Sequence, residues 1–182
     1  MKSTEIYKTL NSCLKDPFKA LGYKKVKFSR LGWYKSFGPN YIIFQFQCSK
    51  WGWNFWTGTD FELYLGLYSK MTEPSWSVRP LTLLTQLLDE ADIKELVNIQ
   101  NIMISKFHKY EENYQETHST ADPAFLGFLD RQFEPIAFPP SRFDQESFRI
   151  YDESDVLRWG DFFQKRINKL SENLEVLWQE PT

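Results

Sequence analysis

Tyr41-Ile42-Ile43-Phe44-Gln45-Phe46-Gln47-Cys48-Ser49 and, further along, Thr59-Asp60-Phe61-Glu62-Leu63-Tyr64-Leu65-Gly66-Leu67-Tyr68-Ser69 decide how this chain folds. Both runs repeat with a period of two, the period at which successive side chains leave opposite faces of a strand. In the first, Ile42, Phe44, Phe46 and Cys48 share one face, and Tyr41, Ile43, Gln45 and Gln47 share the other. In the second, Phe61, Leu63, Leu65 and Leu67 oppose Glu62, Tyr64, Gly66 and Tyr68. Consecutive strands joined by short connections form an antiparallel meander. Its aliphatic face must be covered. Its polar-aromatic face is expected to stay partly open.

Working outward, Lys24 to Ser36 reads as a long strand with a break at Gly32, closed by the turn Gly38-Pro39-Asn40. Upstream, Ile6, Leu10, Leu14, Phe18 and Leu21 recur at helical steps over residues 3–21, with Ser3 or Thr4 as cap and Gly22 as the left-handed stop. Asp16-Pro17 predicts a kink or restart, because proline lacks the N–H of an interior helical position. Downstream, residues 81–88 read as helical and 89–92 as an acidic break. A longer helix then runs through Leu96, Ile99, Met103 and Phe107 to about Lys109. The polar stretch 110–122 is expected to be mobile, 124–133 a short helix, and 135–142 an irregular loop. Phe148 to Tyr151 is expected as an edge strand. Ser154 caps a final helix carrying Val156, Trp159, Phe163, Ile167, Leu170, Leu174 and Leu177, an apolar stripe that must pack on something. The prediction is one α+β domain over 1–182: an antiparallel sheet of three to four strands, covered on one face by N-terminal, middle and C-terminal helices.

Composition fits that size. The 182 residues are 42% hydrophobic and 18% aromatic, too rich in large apolar groups for a disordered chain. Seven Trp, nine Tyr and sixteen Phe exceed what a small core buries easily, so some are expected at a partner surface or a homodimer contact. The net charge of −2 conceals an asymmetry. Residues 1–50 hold ten Lys/Arg against Glu5 and Asp16, a net of +8, whereas the rest has a net of −10. Cys13 and Cys48 fall on predicted helix and strand and read as small hydrophobes, not a disulfide framework. With neither a signal-like apolar segment nor a run long enough for a membrane span, the expected setting is cytoplasmic, with no membrane partner.

At Gly22-Tyr23-Lys24-Lys25, Gly32-Trp33-Tyr34, Gln45-Phe46-Gln47-Cys48-Ser49 and Tyr64-Leu65-Gly66-Leu67-Tyr68, the chain resembles a bacterial family known as domain of unknown function 4304, over about residues 5–70. The resemblance implies an amphipathic N-terminal helix followed by this order of strands, and a bacterial setting. It implies no activity and no site residues.

The candidate binding residues come from two places. Trp51, Trp53, Phe55 and Trp56 crowd the connection between the strands, where rings stack on a partner's side chains or on bases or close over the sheet end as a lid. Basic and aromatic residues interleave at Lys24, Lys25, Lys27, Arg30, Trp33, Tyr34 and Lys35, with Lys25, Lys27 and Lys35 expected on one strand face. Gln45, Gln47 and Tyr64 complete a polar-aromatic surface. His108 and His118 lack a zinc spacing, and His108 and Glu112 read as an ordinary helical pair. Asp60 and Glu62 read as strand polarity, and the acids Asp144, Glu146, Asp152, Glu153 and Asp155 as loop solvation and helix N-terminal charge. There is no Gly-rich phosphate loop and no Gly-x-Ser-x-Gly. The expectation is therefore a non-enzymatic binding protein of bacterial type, with no catalytic residues, no cofactor and no metal. It would use its sheet face and aromatic loop on a protein partner, in a role such as neutralising a toxin or phage factor. The alternative is a single-stranded nucleic-acid-binding module using segment 24–35. An enzyme with a site assembled from scattered residues is a third option.

Overall fold

The computed structural model describes residues 1–27, 30–49, 58–69, 82–107 and 134–179. In chain order the elements are α1 (Ser3–Ala20), β1 (Lys24–Lys25), β2 (Leu31–Phe37), β3 (Asn40–Cys48), β4 (Thr59–Tyr68), α2 (Leu84–Leu87), α3 (Glu90–Phe107), α4 (Arg142–Glu146), β5 (Ser147–Ile150) and α5 (Glu153–Leu177). The strands form one antiparallel sheet in the order β1-β2-β3-β4-β5. The α+β architecture, with helices at the start, middle and end, is the expected one. The predicted helix over 124–133, the polar stretch 110–122, His108 and His118 lie outside the described residues.

The alternation in the two central strands does what its period requires. Ile42, Phe44, Phe46, Phe61, Leu63 and Leu65 all enter one core. Across it, α1 supplies Ile6, Leu10, Leu14 and Phe18, and α5 supplies Val156, Trp159, Phe163, Ile167, Leu170 and Leu174. α3 adds Ile93, Leu96, Ile99 and Met103. Aromatic edges meet faces through this core: Phe148 lies 4.9 Å from Trp159 and 5.1 Å from Phe163, near-perpendicular to both. The Trp159 indole N–H donates to the Arg149 carbonyl at 2.9 Å, so its one polar atom is satisfied.

Two local expectations are corrected. The long strand from Lys24 is a short hairpin arm, β1, folded back on β2 with Lys24 opposite Tyr34 and Lys25 opposite Trp33. The Val26 N–H donates to the Gly32 carbonyl, so Gly32 lies inside β2 and does not break it. Pro17 sits within α1, which continues to Ala20, because Leu14 and Phe18 on either side of it are both locked in the core. Gly22 follows with φ +81°, as its place after the helix predicts. α1 and α5 approach so closely that a Cβ on Gly160 would lie 2.7 Å from Cys13 Sγ, which is why a glycine stands in the middle of a long helix.

The sheet ends differently at its two margins. At β5, the buried Gln100 side chain of α3 accepts from the Arg149 N–H at 3.3 Å and donates to the Ser147 carbonyl at 2.6 Å. One amide thus occupies the place of a neighbouring strand. At the opposite margin, β1 carries exposed Lys24 and Lys25.

Candidate functional site

Two regions collect the residues that sequence reasoning singled out. The first is the second face of the sheet. The register sets Gln45 opposite Tyr64 on β4 and Gly32 on β2, and Gln47 opposite Glu62. Asp60 faces Arg149 of β5, and Glu62 faces Ser147. A polar diagonal therefore crosses three strands. The Tyr64 hydroxyl donates to the Glu62 carboxylate, and the Ser147 hydroxyl donates to Asp60 Oδ2 at 2.7 Å. Burial pulls the Arg149 guanidinium below the ordinary arginine range, while the carboxylates of Asp144 and Asp60 act the other way.

This face is not the open surface expected of it. Gln45 is 0% exposed and Tyr64 2%, and Ile43 is wholly buried as well. Tyr34, Tyr41 and Gln47 are half-buried. Trp33 is not on this face at all. It points into the core at 2% exposure, its ring stacked on Phe18 at 4.4 Å and edge-on to Phe46. Parity decides this: with Gly32 and Tyr34 facing the polar side, Trp33 must face the helices. Tyr34 remains on the second face, edge-on to Tyr41 at 6.1 Å. Trp51, Trp53, Phe55 and Trp56 lie outside the described residues.

The second region is the margin made by α1 and β1. Lys24, Lys25 and Lys27 are exposed there, and Lys25 Nζ donates to Asn11 Oδ1 of α1 at 3.2 Å. Asn11 is one helical turn from Lys8 and from Lys15, and Lys19 follows one turn later, all exposed on the same side of α1. Sequence reasoning took the basic charge from 24–35 alone. The helical spacing of Lys8, Lys15 and Lys19 was the signal that would have added them. Lys35, expected beside Lys25 and Lys27, turns inward instead: its ammonium reaches Glu175 of α5 at 2.7 Å and lies 5.7 Å from the centre of the Tyr23 ring.

Other candidate groups have structural partners. The Tyr7 hydroxyl accepts from the Cys48 N–H at 3.0 Å. Burial pushes the Cys48 thiol up to about 11, so at neutral pH it is protonated, a poor nucleophile. The acids near the start of α5 cap it: Asp152 accepts from the Ser154 and Asp155 N–H groups, and Asp155 from the Tyr151 and Asp152 N–H groups. No helix among the described residues is long and apolar enough to cross a membrane.

What fold and site define together is an aromatic-rich α+β protein on an antiparallel sheet with one buried polar face and one basic margin. Compared with protein-family models, curated proteins and solved structures, the chain matches none.

Proposed function

We propose that this chain is a non-enzymatic binding protein that recognises an acidic protein partner through the lysine-bearing margin of α1 and β1. One observation carries the reading. Among the described residues, Lys8, Lys15, Lys19, Lys24, Lys25 and Lys27 have no carboxylate within ion-pair distance, while Lys35, Lys106, Arg166 and Lys169 are all paired. Unneutralised like charges on one surface repel one another. They also attract an anionic surface and speed its encounter. A protein partner is favoured over single-stranded nucleic acid because Trp33, the ring expected to stack a base beside these lysines, is in the core. The resemblance of residues 5–70 to a bacterial family supports a bacterial setting, and neutralising an acidic toxin or phage factor suits a small binder of this kind.

The test compares the native chain with a Lys8→Gln, Lys15→Gln, Lys19→Gln, Lys25→Gln variant in co-purification from the host. An acidic protein should accompany the native chain, and its binding should weaken by about tenfold or more in the variant and at high salt. Equal retention by both chains, or co-purification of nucleic acid alone, would overturn the reading.

A further inference from the structure

We infer that the partner engages the lysine margin as an extended acidic strand, added to the sheet beside β1. This mode of binding rests on the acidic partner proposed above and specifies the form in which it docks. Of the sheet's two margins, the one at β5 is closed by the Gln100 amide, which bonds the Ser147 carbonyl and the Arg149 N–H. Among the described residues no side chain plays that part at β1, where Lys24 and Lys25 are exposed. The Val26 N–H is directed inward, to the Gly32 carbonyl at 3.0 Å. Backbone groups alternate in direction along a strand, so the Lys25 N–H and C=O point away from β2, toward the open side. A donor and an acceptor side by side on a sheet edge are what a further strand takes up.

Side-chain placement selects the chemistry of that strand. Lys25 lies opposite Trp33, which faces the core, and its ammonium reaches Asn11 of α1 at 3.2 Å. It therefore stands on the helix side of the margin, with Lys8 and Lys15 one turn to either side of Asn11. Lys24, opposite Tyr34, stands on the other side. A strand laid along β1 sends every second side chain to the helix side. Acids at alternate positions therefore all turn toward Lys25 and the α1 lysines while the backbone bonds to Lys25. A second copy of the chain is the poorer occupant. Paired along β1 it would set lysine against lysine, and like charges across a ladder are destabilising. Lysines on an edge guard it against self-pairing, and the same charge admits a strand that carries carboxylates.

The probe is a short synthetic peptide of alternating Glu and Thr, with one form N-methylated at every Glu and another at every Thr. All forms carry the same charge, and each methylated form loses the N–H groups of one edge only. Binding to the full chain is read by titration calorimetry at low and high salt, and the Lys25 amide is followed by NMR hydrogen exchange. The unmethylated peptide should bind, and about tenfold more weakly at high salt. One methylated form should lose about tenfold or more in affinity, and the other should stay within about twofold of the parent. The unmethylated peptide should slow exchange of the Lys25 amide by about tenfold. Equal affinities of the two methylated forms, unchanged exchange at Lys25, or no binding of the unmethylated peptide would overturn the inference. The lysine variant of the preceding test separates the two readings. If the host's acidic protein still requires the lysines, strand pairing alone fails; if it does not, both readings fail.

Discussion

Lys8, Lys15 and Lys25 are exposed and pair with no carboxylate among the described residues, whereas Lys106, Arg166 and Lys169 are each held between two carboxylates. The paired set lies between elements distant in sequence. Arg166 and Lys169 of α5 hold Asp89, Asp92 and Glu95 at the start of α3, and Lys106 of α3 holds Asp152 and Asp155 at the start of α5. Arg166 also spreads over the Phe162 ring at 4.1 Å and donates to the Phe162 carbonyl, so its guanidinium is anchored on both sides. In that half of the molecule charge fastens helix to helix. α1 is seated chiefly by apolar packing, through Leu10, Leu14 and Phe18. Of the exposed lysines there, Lys25 donates to Asn11, and Lys8, Lys15 and Lys19 pair with no carboxylate among the described residues.

The contrast breaks most readily at Asp155, which is 0% exposed, accepts two backbone N–H groups and pairs with Lys106. Asp155→Ala is expected to cost about 3 kcal/mol in urea unfolding, since it leaves the Tyr151 and Asp152 N–H groups without their acceptor at the start of α5 and leaves Lys106 only Asp152. A loss below about 1 kcal/mol would show that the paired charges are decorative. A second effect appears at high pH. Burial is the largest cause of raised pKa values in α1 and its surroundings, pushing the Tyr7 and Tyr23 hydroxyls up to about 12 and the Cys48 thiol up to about 11. The unfolded chain releases the same protons near the ordinary values of 10.0 and 9.0. Stability from these groups is therefore complete below about pH 9 and falls as pH rises from there to about 12. Urea midpoints at about pH 8 and about pH 10.5 should differ, and Tyr23→Phe should show a smaller drop; an unchanged drop would mean that Tyr23 does not titrate late. The smallest effect is expected at the other pole of the comparison. Each of Lys8→Gln, Lys15→Gln, Lys19→Gln and Lys25→Gln should change stability by less than about 0.5 kcal/mol. A larger loss would mean that these side chains support the fold.

Much of the architecture was legible because its signal is periodic. The alternation through Phe44, Phe46, Leu63 and Leu65, and the stripe through Trp159, Phe163, Ile167 and Leu170, each report a face, and faces are what a core selects. The hairpin of β1 on β2 was not legible, because a two-residue arm, held by the pairings of Lys24 with Tyr34 and Lys25 with Trp33 and by the Val26–Gly32 hydrogen bond, is too short for any period to mark. The inward turn of Trp33 followed from strand parity once Gly32 lay within β2, and a break placed at Gly32 hid it. The candidate sites were legible only in part. Lys25, Lys27, Gln45, Gln47 and Tyr64 could be named from residue type. Whether a polar strand face is covered is decided by tertiary packing, so the burial of the Gln45 amide could not be read from its neighbours in sequence.

The amide of Gln100 sets a limit on assembly. With the β5 margin already saturated, two copies that met along β1 would exhaust their free backbone groups in a single step and stop as a closed pair. A sheet with both margins bare could go on recruiting copies into a filament; here a lone glutamine acts as the chain terminator.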